Sequence, residues 1–187
     1  AAVPTGEDVA DRACVLGRGA ATQLGRVAAP DPELERIDHP LVHFAVDAPP
    51  EAVWAVVSDV TRMPEWSPQT RRMIVRGRIG KGTRTLNINK YGWRVWPTTS
   101  TVVRYDPQRA IAFSVPVNGT VWSYHLEDLG DGRTRLVERR EAPRGTTPVS
   151  RALIKRFLGG DAAYGAQLER DMRATLDRIK AAVERRP

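Results

Sequence analysis

Between Ala110 and Arg140 large apolar side chains fall on every second position, the period that places them on one face of a strand. Two such runs, Ala110 to Val117 and Thr120 to Leu126, flank Asn118-Gly119, the dipeptide best suited to a two-residue type I′ turn. That turn pairs Val117 with Thr120. It thereby sets Val115 opposite Trp122, Phe113 opposite Tyr124 and Ile111 opposite Leu126, all on one face. The reverse face holds Ala112, Ser114, Ser123 and His125, a small and polar set expected to meet water. A third run, Thr134 to Arg140, follows Gly130-Asp131-Gly132; pairing Leu126 with Thr134 across it sets Glu138 opposite Trp122 and adds Leu136 and Glu138 to the aromatic side. A front this apolar needs a cover.

The C-terminus supplies one. From Asp161 to Arg186, Tyr164, Leu168, Met172, Leu176, Ile179 and Val183 recur at three- and four-residue steps, a single stripe along a long helix. Charged residues such as Glu169, Arg170, Arg173 and Asp177 fill the opposite side. A shorter helix is expected over Pro148 to Leu158, broken from the long one at Gly159-Gly160. Upstream, Val42, Phe44 and Val46 alternate as a first strand. Pro50 to Val60 reads as a helix with proline in its first turn, and Met63 to Pro68 as a turn or second short helix. Arg71 to Arg76 and Thr83 to Lys90 are expected as strands, and the stretch from Trp93 to Tyr105 as another, interrupted at Pro97. The order is one strand, two helices, six strands and a long helix.

Particular residues in that order carry a resemblance. They are Val46-Asp47-Ala48-Pro49-Pro50-Glu51-Ala52-Val53-Trp54, Asp59, Pro64-Glu65-Trp66-Ser67-Pro68, Gly80-Lys81-Gly82-Thr83 and Tyr105-Asp106-Pro107. Trp122, Gly132-Arg133-Thr134, Glu138 and Thr175-Leu176-Asp177-Arg178-Ile179-Lys180 follow. Over about residues 40 to 185 the chain resembles the START-like superfamily, also called SRPBCC or polyketide cyclase/dehydrase-like. The resemblance implies an α+β helix-grip fold: a curved antiparallel sheet of about seven strands around a long C-terminal helix, two short helices after the first strand, and a cavity between sheet and helix. It implies little chemistry, because relatives bind lipids, hormones or quinones, assist polyketide cyclisation, or associate with ribosomes. Residues 39–187 would form this domain, and 1–38 an N-terminal extension, partly helical or disordered, with Ala28-Ala29-Pro30-Asp31-Pro32 as linker.

Composition narrows the classes. One cysteine, Cys14, excludes an internal disulfide framework and a cysteine-based metal cluster. His39, His43 and His125 lack metal-ligand spacing, so no metal and no cofactor are expected. Gly77-Arg78-Ile79-Gly80-Lys81-Gly82-Thr83 imitates a phosphate loop, but a strand rather than a helix follows it. No apolar run reaches the length of a membrane span, and no signal peptide is recognisable, so the expected location is cytoplasmic. The net charge of +7 is spread: residues 1–38 hold four arginines against seven acids, while the body and the last helix each carry a surplus of five. That surface permits peripheral membrane contact, but no dense basic block with interleaved aromatics argues for nucleic acid. A monomer or weak homodimer is expected.

The candidate site is the cavity, with a hydrophobic small molecule as partner and no catalytic set. Its expected wall comprises Val102, Arg104, Ile111, Phe113 and Val115, then Trp122, Tyr124, Leu136 and Glu138 of the sheet, facing Tyr164, Leu168 and Met172 of the helix. Trp96 shares the parity of Val102 and is placed inside, with Trp66 at the mouth. Glu138 stands apart, since a carboxyl on a buried face must be paired, hydrogen-bonded or protonated. Trp122, Tyr124, Arg104 and Arg140 are its candidate partners. Binding of a lipid-, polyketide- or quinone-like ligand leads; a polyketide aromatase/cyclase-like enzyme and a ribosome- or protein-associated module acting through the basic surface are the alternatives.

Overall fold

A computed structural model describes residues 40–148, 150, 152 and 161–185. The expected extension over 1–38 lies outside the described residues, as does most of the short helix expected over Pro148 to Leu158. Strand β1 (Leu41–Val46) is followed by helix α1 (Pro50–Val57), a 3-10 turn (Val60–Arg62) and the single-turn helix α2 (Met63–Trp66). Then come β2 (Thr70–Val75), β3 (Arg84–Tyr91), β4 (Arg94–Asp106), β5 (Ala110–Val115), β6 (Thr120–Gly130), β7 (Arg133–Glu141) and the long helix α3 (Asp161–Glu184). The strands form one antiparallel sheet in the order β1-β7-β6-β5-β4-β3-β2. This is the helix-grip architecture.

Each helix forms where the apolar spacing demands it. In α1, Val53, Val56 and Val57 are buried at three- and four-residue steps, while Pro50 occupies the first turn, where its missing N–H costs nothing. In α3, Leu168, Met172, Leu176, Ile179 and Val183 are all buried. Removing five such side chains from water contributes roughly 10 kcal/mol gross, which outweighs the modest intrinsic helicity of the sequence. Glu169 and Arg173 meet on the exposed side, a pair worth only a few tenths of a kcal/mol.

Two registers depart from the expected ones, each by two positions. Val115 pairs with Thr120, Phe113 with Trp122 and Ile111 with Tyr124, because the β5–β6 connection spans Pro116 to Gly119 instead of Asn118-Gly119 alone. Pro116 has no N–H to give an interior ladder, so β5 ends before it; the Val115 carbonyl then accepts from Asn118 N (3.3 Å) and Gly119 N (3.1 Å). Only Gly119 of that dipeptide has positive φ, at 72°. The type I′ signature falls instead on Asp131-Gly132, with φ of 53° and 73°. Across that turn Tyr124 pairs with Glu138 and Trp122 with Arg140, so Glu138 lies beside the tyrosine and not opposite the tryptophan. A shift of two keeps every side chain on its expected face.

The β4 strand corrects two further expectations. It runs unbroken through Pro97, which pairs with Ile88 of β3. The neighbour β5 joins only from Thr101 onward, so β4 has a single partner at Pro97 and its missing donor is tolerated. A bulge between Val102 and Arg104 then reverses the parity. Val102 faces inward beside Phe113, whereas Arg104 pairs with Ala112 on the reverse face and binds Asp106 at 2.6 Å in the open. That reverse face is not evenly wet: Ala112, Ser123 and Arg139 are buried along one cross-strand row.

The densest core lies at one end of the sheet. There Val53, Val56 and Val57 of α1 join Ile111, Leu126 and Leu136 of the strands and Leu176, Ile179 and Val183 of α3. The hollow lies at the other end.

Candidate functional site: the cavity between sheet and C-terminal helix

A cavity of about 700 Å³ opens between the inner faces of β2 to β7 and the N-terminal half of α3. It exists because α1 and the second half of α3 fill only the far end of the grip. Among the residues expected to line it, Trp96, Phe113, Val115, Trp122, Tyr124 and Glu138 do so from the sheet, and Tyr164, Leu168 and Met172 do so from α3. At its rim stand Tyr91, Trp93 and Val117, with Trp93 82% exposed.

Five expected residues lie elsewhere. Val102, Ile111 and Leu136 are fully packed in the core, where helix side chains leave no space. Arg104 is turned to the reverse face by the β4 bulge. Trp66, expected at the mouth, is buried under the Arg62 guanidinium, 4.8 Å from its ring centre, and Arg178 Nη1 donates to its carbonyl at 3.1 Å. It pins α2 to α3 and does not reach the hollow.

Glu138 and Tyr124 form the deepest polar feature. The Tyr124 hydroxyl donates to Glu138 Oε1 at 2.9 Å, with Met63 Sδ 3.9 Å from the same hydroxyl. Glu138 Oε2 is buried with no hydrogen-bond partner among the described residues. Burial pushes the Glu138 carboxyl up to about 8, against a smaller downward pull from the tyrosine hydroxyl. The Tyr124 phenol is held well above its ordinary value, first by burial and then by the neighbouring carboxyl. At neutral pH the carboxyl is therefore mostly protonated and can donate into the cavity. Two positions on, Arg140 is buried with its guanidinium 5.9 Å from the Tyr164 ring centre; burial lowers its affinity for its proton. Tyr164 separates this cation from the hollow, since Tyr164 lines the cavity and Arg140 does not.

Among the lining residues that were not foreseen, one set forms a wall of its own. Asn87 and Asn89 of β3 and Thr98 and Ser100 of β4 give the cavity a polar wall. The signal in the sequence was the alternation Thr85-Leu86-Asn87-Ile88-Asn89, which carries its polar set inward once the register with β4 is known. Gln69 Nε2 donates to Asp171 Oδ2 at 2.6 Å and Gln167 Nε2 to Asp171 Oδ1 at 2.9 Å, which fixes the α3 side of the wall. Among the described residues no group of His, Cys, Asp and Glu could hold a metal ion, and no helix is long and apolar enough to cross a membrane.

Comparison with known proteins places this geometry. A family model described as polyketide cyclase / dehydrase and lipid transport matches residues 42–184. The chain is 32% identical over 118 residues to the granaticin polyketide synthase bifunctional cyclase/dehydratase of Streptomyces violaceoruber, covering 60% of this chain and 36% of that one. It thus spans about a third of the length of that relative. Among solved structures, the Zhui aromatase/cyclase from Streptomyces sp. R1128 superposes with a TM-score of 0.55 at 22% identity, over 79% of this chain and 94% of that one. The di-domain aromatase/cyclase StfQ of the steffimycin biosynthetic pathway gives a TM-score of 0.60 at 18% identity, over 99% of this chain and 62% of that one. At these identities the two structures speak for the fold.

Proposed function

The chain belongs to the polyketide cyclase / dehydrase and lipid transport family, and from that premise we propose that it binds a polyketide-type aromatic or pre-aromatic molecule in the cavity between sheet and α3. The observation that carries this reading is the cavity itself. It holds about 700 Å³ and is walled by Phe113, Trp122, Leu168 and Met172, with a buried carboxyl at its base. A volume of that order suits a small organic ligand, and aromatic walls with a few placed polar groups are the usual composition of such sites. A ribosome- or protein-associated role has less support, because it expects a filled core.

A second reading adds chemistry, and Glu138 favours it. A carboxyl titrating near 8 beside a cavity can donate a proton to a ligand carbonyl and take one back from an adjacent carbon at neutral pH. The Tyr124 hydroxyl, 2.9 Å away, would hold the carboxylate left behind. An aldol-type cyclisation followed by loss of water needs such a proton donor and acceptor, and the relative named above carries a cyclase/dehydratase description.

Binding is tested by titrating the purified chain with a polycyclic aromatic such as anthraquinone and following quenching of tryptophan fluorescence, since Trp96 and Trp122 line the cavity. Leu168→Trp, which fills the hollow from α3, should abolish the quenching while the far end of the core stays folded. Equal affinity in wild type and variant would refute binding in this cavity. The catalytic reading is tested with Glu138→Gln, which should retain the ligand and lose conversion of a polyketide substrate.

A further inference from the structure

The two sides of the cavity are chemically unlike. Beside Phe113 of β5 and Trp122 of β6, and under Leu168 of α3, stands the inner face of β3 and β4, an inward sheet face that ordinarily would be apolar. Here Asn87 and Asn89 project from β3, and Thr98 and Ser100 from β4. Their apolar neighbours point away: Leu86, next to Asn87, is 40% exposed on the outer surface. The sequence has therefore turned amides and hydroxyls toward the hollow and aliphatic groups toward water. Sheet stability does not call for that inversion.

The wall is held in place from behind. Thr85 Oγ1 donates to Asn87 Oδ1 at 2.8 Å, Asn87 Nδ2 donates to Ser100 Oγ at 3.2 Å, and Thr85 meets Ser100 through their hydroxyls. Further toward the mouth, Asn89 Nδ2 donates to Thr98 Oγ1 at 3.0 Å. Each amide carries two N–H groups and a carbonyl, so these bonds leave one N–H of Asn87, and one N–H and the carbonyl of Asn89, for the cavity. The Thr98 hydroxyl accepts from Asn89 and keeps its own hydrogen to give. Turning either amide over exchanges which atom meets the hydroxyl but still leaves polar valence facing inward. Positions i and i+2 on a strand lie about 7 Å apart, so the amides form a row rather than a point.

We infer that this wall is the specificity element of the site: it selects a ligand oxygenated along one edge, with carbonyl or hydroxyl groups against Asn87, Asn89 and Thr98, and its bare hydrocarbon edge against Phe113, Trp122 and Leu168. The inference rests on the cavity being a binding site and adds which face of the ligand meets which wall. Discrimination of this kind follows from burial. A hydrocarbon placed there leaves the amide groups without the water they had and without a replacement.

The test compares two probes of one shape, 1,8-dihydroxyanthracene, with both hydroxyls on one long edge, and anthracene, by tryptophan quenching. Wild type should bind the oxygenated probe at least about tenfold more tightly, the yield of two ordinary hydrogen bonds. Asn87→Leu/Asn89→Leu should reduce that preference to about threefold or less by weakening the oxygenated probe while sparing or improving the hydrocarbon. Should the double variant fail to fold, Asn89→Leu alone, outside the buried Thr85–Asn87–Ser100 set, should lose about half the preference on a logarithmic scale. Equal weakening of both probes, no change in either, or a wild type without preference overturns the assignment of the wall and leaves binding intact. A wild type that binds neither probe overturns both.

Discussion

Replacing Glu138 by glutamine should make the protein more stable at pH 8 and leave it little changed near pH 4.5. Glu138 is buried at the base of the cavity, accepts from Tyr124 at 2.9 Å and has one oxygen without a partner, so the folded chain favours its neutral form. Unfolding returns it to water, where it ionises near 4.5, against about 8 in the native state. The folded state thus binds the proton more tightly. Below pH 4.5 both states are protonated and nothing is lost. Between 4.5 and about 8 only the unfolded state releases the proton, so stability falls as pH rises. At 1.36 kcal/mol per pH unit the full interval amounts to at most about 5 kcal/mol, and water entering the cavity will reduce it. Glutamine keeps the acceptor for Tyr124 and cannot ionise. Urea denaturation of both proteins at pH 5, 6, 7 and 8 should show the variant gaining on the wild type by up to about 1.4 kcal/mol per unit. Parallel stability curves across that range would mean that Glu138 titrates as an exposed carboxyl, and the account of the cavity floor would fall with it.

Tyr124→Phe removes the donor to Glu138 and should cost about 1 kcal/mol, while the pH at which the carboxyl ionises moves further up; carboxyl stretching frequencies in an infrared titration would report it. Leu176→Ala, in the filled end of the core, should cost about 3 kcal/mol in chemical denaturation. Leu168→Ala, which already borders the hollow, should cost distinctly less, and equal losses would place the void elsewhere. Gly119→Ala puts a Cβ 3.0 Å from the Gly145 carbonyl at a φ of 72°, and a fall in stability of about 1–2 kcal/mol should be seen by thermal melting.

The sheet, the long helix and the inward set Phe113, Val115, Trp122, Tyr124 and Glu138 were legible because their signal is parity, which survives a shift of two. Register was not legible, because it depends on where a strand stops. Pro116 stopped β5 two residues before the asparagine-glycine pair that otherwise looked decisive. Arg104 was misplaced for a related reason. Period two is reliable only until a bulge intervenes, and the Val102-Val103-Arg104 run carries no glycine or proline to announce one. Trp66 was placed at the mouth because of its proline-flanked turn, whereas Arg62 covers its ring and Arg178 ties its carbonyl to α3.

The inversion of β3 was the hardest feature to read, and its cause is physical. Hydropathy predicts inward and outward faces because a packed interior accepts only apolar side chains. A strand that borders a hollow is released from that demand, since polar groups there can bond to each other, to water or to a ligand. Its period of two persists while the usual sign is lost. Thr85, Asn87 and Asn89 turn in, and Leu86 between them remains 40% exposed. In this sheet β5 to β7, which read correctly by hydropathy, contribute the aromatic wall and the packed core, and residues 85–89 of β3, which read backwards, contribute the polar wall together with Thr98 and Ser100 of β4. An alternating segment whose polar set faces the covering helix is thus itself a sequence-level marker of where the grip stays open.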